Sequence, residues 1–291
     1  MREHQVTGPG GRVLSVVEDG DPHGRPIFAL HGTPGGRLLY GRHVADAKKK
    51  GIRLIGYSRP GYGASTEHRG RSMADNAADV AAVADALGVD RFGVWGHSGG
   101  GSPALACAAR LPARVVAASC LAGVAPYHAD GLDYTAGMGE LNVEEFRRMT
   151  SDRAGWEKKL EADMIALRSA EPEQVLEMWK SLLSKVDVDA ISPDLVEFLM
   201  RQVKEGIAPG SAGMRDDSLS LVVPWGFEFR DVRVPHQVWH GGHDRFVPFS
   251  HGQWLVGQLP HVESHLDPEE GHLTLYQRRI PEVHDWILSH F

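Results

Sequence analysis

Cysteine is nearly missing from this chain. Of 291 residues only Cys107 and Cys120 are cysteines, and both sit in apolar settings. That excludes a disulfide scaffold and suits two buried free thiols in a reducing compartment. Long hydrophobic runs are also lacking. The longest apolar region, Ala104 to Ala125, is broken by Arg110, Pro112 and Arg114, so it cannot serve as a membrane span. The first residues, Met1-Arg2-Glu3-His4-Gln5, are polar with no apolar core behind them, so no signal peptide is expected and a cytoplasmic location follows. Basic charge is in deficit: 31 Lys and Arg face 38 Asp and Glu, a net charge of −7, with the arginines scattered. A surface for nucleic acid or an anionic membrane would need a basic patch. There is no Gly-Lys-Ser/Thr phosphate loop, no dinucleotide fingerprint and no H-E-x-x-H. His240-Gly241-Gly242-His243-Asp244 resembles metal-ligand spacing but completes no known set. No cofactor and no metal are therefore expected. The expected partner is a small molecule, with a homodimer left open.

What is present is a rhythm. Val13–Val17, Pro26–Leu30, Ile52–Gly56, Arg91–Trp95 and Val115–Ala122 are apolar runs of strand length. Helical sequence lies between most of them, from Leu38 to Lys50, Ser72 to Leu87 and Ser102 to Arg110. Glycine-rich loops close several runs. This alternation predicts parallel βαβ units and an α/β fold. From about Ala125 to Leu221 the rhythm breaks into amphipathic helical sequence, with Asn142-Val143-Glu144-Glu145 as a capping box and Ser192-Pro193 as a helix start. It resumes with the run Val234–His240, a helix over Phe249–Gln258, a strand over His261–Leu266 and one last helix. The helical stretch is thus an insertion into the sheet.

Gly96-His97-Ser98-Gly99-Gly100, between an apolar run and an alanine-rich helix, has the G-x-S-x-G pattern of a nucleophile elbow. A strained strand-to-helix turn lifts the serine hydroxyl clear of the sheet, and Gly96 and Gly100 must lack side chains to allow it. Because the pentapeptide also arises by chance, its context has to carry it. Ser98 needs a base, and the base needs a carboxylate to fix its tautomer. His272 follows a glycine in the loop after the last strand, and Asp244 follows a strand and a Gly-Gly turn. Both are thereby placed at the carboxyl edge of the sheet, where ligands of parallel sheets bind. His261, His265, His284 and His290 lie within a strand or the final helix, and Asp231 and Asp267 are the weaker acids. Gly99 N–H and Thr33 N–H are the candidate oxyanion donors.

With those residues in place, the chain resembles the α/β-hydrolase superfamily of serine hydrolases, in its esterase and proline-iminopeptidase-like branch. The resemblance rests on His31-Gly32-Thr33-Pro34-Gly35, Arg59-Pro60-Gly61-Tyr62-Gly63-Ala64-Ser65, the elbow, Gly242-His243-Asp244 with Val247-Pro248, and Gly271-His272. It departs at Ser58, where many relatives have aspartate. The resemblance implies a mostly parallel eight-stranded sheet with helices on both faces, residues 1–124 and 222–291 forming the core. Residues 125–221 are then a helical cap after the sixth strand. It implies cleavage of a small ester, lactone or amide by Ser98, His272 and Asp244. The alternatives are an aminopeptidase of the proline-iminopeptidase type and a non-catalytic ligand receptor; carbon–carbon hydrolysis and cofactor-free peroxidase activity stay open. His31, Trp156 and Trp179 are candidate substrate contacts. Of the cap acids Glu140, Glu144, Glu145, Glu157, Glu161, Asp163, Glu171 and Glu173, most lie among Arg and Lys at spacings that suit solvent-facing helix surfaces. Trp156, Leu160, Met164, Met178, Trp179 and Leu182 are then left to line an apolar cavity for a neutral acyl substrate.

Overall fold

A computed structural model describes residues 1–291. The strands are β1 (Arg2–Thr7), β2 (Val13–Gly20), β3 (Arg25–Leu30), β4 (Ile52–Tyr57), β5 (Phe92–His97), β6 (Val115–Leu121), β7 (His236–Gly241) and β8 (Glu263–Asp267). They form one sheet in the order β1-β2-β4-β3-β5-β6-β7-β8. β2 is antiparallel to both its neighbours, and all other pairs are parallel. Every residue of β5, β6 and β7 is buried. Continuous apolar runs are what a parallel sheet covered on both faces demands.

Six core helices supply that cover: α1 (Gly41–Lys49), α2 (Asp75–Ala86), α3 (Gly101–Arg110), then, after the insertion, α10 (Phe249–Gln258), α11 (His272–Arg278) and α12 (Ile280–Leu288). Residues of α2, α3 and α10 share one apolar cluster with Phe28, Ile55 and Val94. Residues of α1, α11 and α12 share another with Ile27, Leu54 and Trp95, on the opposite face. Alternating side chains of β3, Ile27 and Phe28 for example, go to opposite clusters, as the strand period of two requires.

Between β6 and β7 run α4 (Glu140–Ser151), α5 (Arg153–Ser169), α6 (Pro172–Met178), α7 (Lys185–Ala190), α8 (Pro193–Gly206) and α9 (Ala212–Leu221). They hold their own apolar cluster, in which Trp156, Leu160, Met164 and Leu167 of α5 meet Val203 and Ile207. The expected substrate contact Trp156 is corrected here. It is only 2% exposed and belongs to this cluster. Leu160 and Met164 pack there too, while Met178 is 39% exposed.

Other expectations also shift. The polar N-terminal segment, to which the sequence assigned no element, is a strand: Arg2 to Thr7 pair with Glu18 to Val13 at the sheet edge. Only Val6 of β1 is buried, so the strand carries no apolar signal, and its polar side chains suit an unpaired edge. The last helix is two, because Pro281 in the first turn of α12 cannot continue the ladder of α11. β8 begins at Glu263, which leaves His261 in the preceding turn at φ +55°, and α12 ends before His290. Ser192 and Pro193 do open α8. Asn142 and Glu145, however, form no capping box: α4 starts at Glu140, and the Asn142 amide donates to the Phe246 carbonyl at 3.0 Å.

Candidate active site

β5 leaves the sheet through Gly96 and His97, and the chain turns at Ser98 with φ +55° into one 3-10 turn and then α3. A non-glycine residue in that region carries about 1–3 kcal/mol of strain, which its surroundings must hold. The two glycines are required. A Cβ on Gly96 would collide with the Gly100 carbonyl, and one on Gly100 with the Leu30 carbonyl. His97 lies buried under the elbow. Burial and the neighbouring His272 push its pKa well down, so the ring is neutral, and Nε2–H donates to the His272 carbonyl at 2.9 Å.

Asp244 and His272 come together as expected. The loop after β7 carries Asp244, whose Oδ1 accepts the Phe246 and Val247 amides, each at 2.8 Å. Its Oδ2 lies 2.6 Å from His272 Nδ1, and both side chains are buried. An ionised carboxylate only accepts, so Nδ1 carries the proton and Nε2 is left as the basic nitrogen. Phe246 stacks on the imidazole with ring centres 4.5 Å apart. The weaker candidates are occupied elsewhere. Asp267 pairs with Arg279, His284 with Asp46, and His265 stacks on Trp239.

Gly99 and Thr33 are neighbours: a Cβ on Gly99 would stand 3.1 Å from Thr33 N and would strike the threonine hydroxyl. Thr33 N–H is engaged by no backbone acceptor. The loop that carries it is gripped from below. Buried Arg59 donates Nη2–H to the Gly32 carbonyl (3.1 Å) and to Thr33 Oγ1 (2.9 Å), and Nη1–H to the His31 carbonyl. His31 borders the cavity, yet both of its ring nitrogens serve the loop. Nε2 accepts from Arg59 N at 3.0 Å and Nδ1–H donates to the Gly32 carbonyl at 2.7 Å. Burial, aided by the Arg59 charge, keeps it neutral. Both nitrogens thus hold the loop, while the ring itself stays on the cavity wall.

Two further residues carry the site without having been singled out. Asp217 of α9 accepts from Arg59 Nη2 (2.6 Å), Arg71 Nη1 (2.9 Å), Tyr62 OH (2.9 Å) and Thr33 Oγ1 (2.6 Å). Burial alone would raise its pKa; Arg59 and Arg71 instead hold it well below the usual carboxylate range. Asp187 of α7 accepts the His272, Leu273 and Thr274 amides at 3.2, 2.8 and 3.1 Å, so a carboxylate from the insertion caps α11 where His272 begins it. Glu145 of α4, half-buried, borders the cavity rather than facing only solvent. Arg59 belonged to a quoted motif, but nothing in the sequence marks Asp217 or Asp187.

Ser98, Gly99, Thr33, His272 and Glu145 all border one cavity of about 220 Å³. Phe146 and Met214 from inserted helices, with Trp179 and Leu182 from the turn after α6, supply much of its wall, and no Lys or Arg lines it. Trp179 and Leu182 thus lie where the sequence placed them. No three His, Cys, Asp or Glu side chains are grouped to hold a metal ion, and both cysteines are free and buried. No helix is long and apolar enough to cross a membrane.

This architecture agrees with comparison to known proteins. Residues 25–278 match the family model described as alpha/beta hydrolase fold, and the chain belongs to that family. It is 27% identical over 274 residues to the AB hydrolase superfamily protein YisY of Bacillus subtilis, covering 92% of this chain and 91% of that one. It is 26% identical over 266 residues to a 2-hydroxy-6-oxononadienedioate/2-hydroxy-6-oxononatrienedioate hydrolase of Comamonas testosteroni, covering 87% and 83%. Among solved structures, the esterase RhEst1 from Rhodococcus sp. ECU1013 superposes with a TM-score of 0.70 at 21% identity over 100% of both chains.

Proposed function

We propose that this protein is a serine hydrolase of small carboxylic esters, with lactones and reactive amides as related substrates, working through an acyl-enzyme without a cofactor. The observation that carries the reading is the 2.6 Å contact of Asp244 with His272, in the wall of the cavity that Ser98 enters on its left-handed turn. With Nδ1–H committed to Asp244, Nε2 takes the Ser98 proton as Oγ attacks the substrate carbonyl. Gly99 N–H and Thr33 N–H stabilise the oxyanion, a donor of this kind being worth about 10²–10³ in kcat. The imidazolium returns its proton to the leaving alkoxide as the C–O bond breaks. Water, deprotonated by the same nitrogen, then releases the acid from Ser98.

Residues 125–221 act as a cap over this chemistry, and Phe146, Trp179 and Leu182 keep water from the acyl group. The name of the Comamonas relative specifies a dicarboxylate. With no Lys or Arg on this cavity to hold carboxylates, esters are favoured over such a substrate. A ligand receptor would gain nothing from an oriented Asp–His pair beside a strained serine. On the side of an aminopeptidase stands the unpaired Glu145.

The test compares 4-nitrophenyl esters of short fatty acids with proline and alanine 4-nitroanilides at pH 7.5. The ester kcat/KM is expected to exceed that of the anilides by at least about tenfold and to vanish in Ser98→Ala. Preference for the anilides would put an aminopeptidase in its place.

A further inference from the structure

We infer that Glu145 makes this cavity select acyl groups whose far end carries a protonated amine, over neutral ones and against those ending in a carboxylate. The inference rests on the ester-hydrolase reading above and specifies its substrate.

Glu145 makes no ion pair of its own, unlike Glu144, Glu157 and Asp163. Glu144 binds Arg147 at 2.7 Å and also Arg148; Glu157 binds Arg153 at 3.2 Å and Asp163 binds Lys159 at 2.5 Å, all towards solvent. Glu145 borders the cavity, and its one hydrogen bond is a long one from Ser218 Oγ at 3.5 Å. The Trp156 indole N–H, buried and without a close partner, is the other donor that favours the ionised form of Glu145. A half-buried carboxylate with one long hydrogen bond and no ion pair keeps most of its acceptor capacity for whatever enters the cavity.

The charges around it narrow that reason. On α5, Asp163 opposes ionisation and Lys159 favours it; Ser218 on α9 and Trp156 favour it weakly. Burial is the strongest influence, and together they raise the pKa to about 7. The other carboxylate on the cavity, Asp217, is neutralised by Arg59 and Arg71. Above neutral pH a negative charge, with only the Lys159 already shared with Asp163 acting on it, therefore faces a space walled mostly by apolar groups, in which opposite charges attract strongly. A ligand ammonium supplies the missing partner, a methyl group leaves it missing, and a carboxylate adds repulsion.

The experiment uses three families of 4-nitrophenyl esters with acyl chains of four, six and eight carbons, ending in methyl, ammonium or carboxylate. At pH 8 the ammonium esters of the best-fitting length should exceed the carboxylate esters by roughly 100-fold in kcat/KM, with the methyl esters between. Glu145→Gln should compress the series to within about threefold, and Glu145→Asp should keep its order. At pH 6 the wild-type spread should narrow, because Glu145 takes up a proton. A spread unchanged in Glu145→Gln overturns the inference while leaving the ester reading intact. Loss of all three families in the wild type would sink the ester reading instead. Calorimetry of hexylamine and hexanoate with Ser98→Ala then decides Glu145 without turnover. Amine bound more tightly, and only with Glu145 present, supports the inference; equal binding overturns it.

Discussion

Asp217 and Glu145 are carboxylates from the same inserted helices, facing the same cavity, and their surroundings treat them in opposite ways. Asp217 accepts from two arginines, a tyrosine and a threonine, which hold it ionised despite burial. Glu145 has a single long bond to Ser218 and is raised to about 7. Burial opposes ionisation in both, so the partners decide. The first carboxylate is consumed in holding the loop of Thr33, whereas the second is left free for a ligand. Asp244 is a third kind of case, satisfied by two amides and a histidine that the chemistry needs.

Replacing each acid in turn should separate these roles. The largest effect on rate is expected at Asp244. Asp244→Asn favours the wrong His272 tautomer and should lower kcat by up to about 10⁴ with a modest change in KM, read from steady-state ester hydrolysis. Near-normal kcat would show that the acid is elsewhere. At Asp217 the effect should be on stability as well as rate. Asp217→Asn strands Arg59 and Arg71 in the interior and should cost about 3–5 kcal/mol, measured by urea unfolding. In the protein that remains folded, kcat should fall more than KM rises, because Thr33 has lost its anchor.

Glu145 should behave in the reverse sense. Its folded pKa lies above the unfolded value, so the folded state binds the extra proton and stability is lost as pH rises from about 4.5 through about 7. Glu145→Gln removes that dependence. It should match the wild type near pH 5 and exceed it by about 1–3 kcal/mol at pH 8, by urea unfolding at the two pH values. A variant less stable than the wild type at pH 8 would mean that Glu145 has a partner after all, and would erase the contrast with Asp217.

The contrast also marks where sequence reading stops. The sheet was legible because a parallel, doubly covered strand has to be an unbroken apolar run, as Val115–Leu121 is. The elbow, Asp244 and His272 were legible because each sits beside glycines at a strand end. β1 was not, since an edge strand with one buried residue has no such run. Glu144 and Glu145 could not be told apart in a charge-rich stretch. Adjacent positions on a helix differ by about 100° of rotation, and only the folded structure shows that Glu145, not Glu144, borders the cavity. Asp217 and Asp187 grip loops more than 80 residues away in the chain, and an isolated aspartate carries no local sign of so distant a partner.

The central claim is that Ser98 attacks the substrate, and covalent labelling tests it most directly. The folded protein would be treated at pH 7.5 with a fluorophosphonate, digested, and mapped by mass spectrometry. One phosphonate per chain on Ser98, lost in Ser98→Ala and strongly slowed in His272→Ala, is the predicted result. Label on another residue, or none on a protein that still hydrolyses esters, would contradict it.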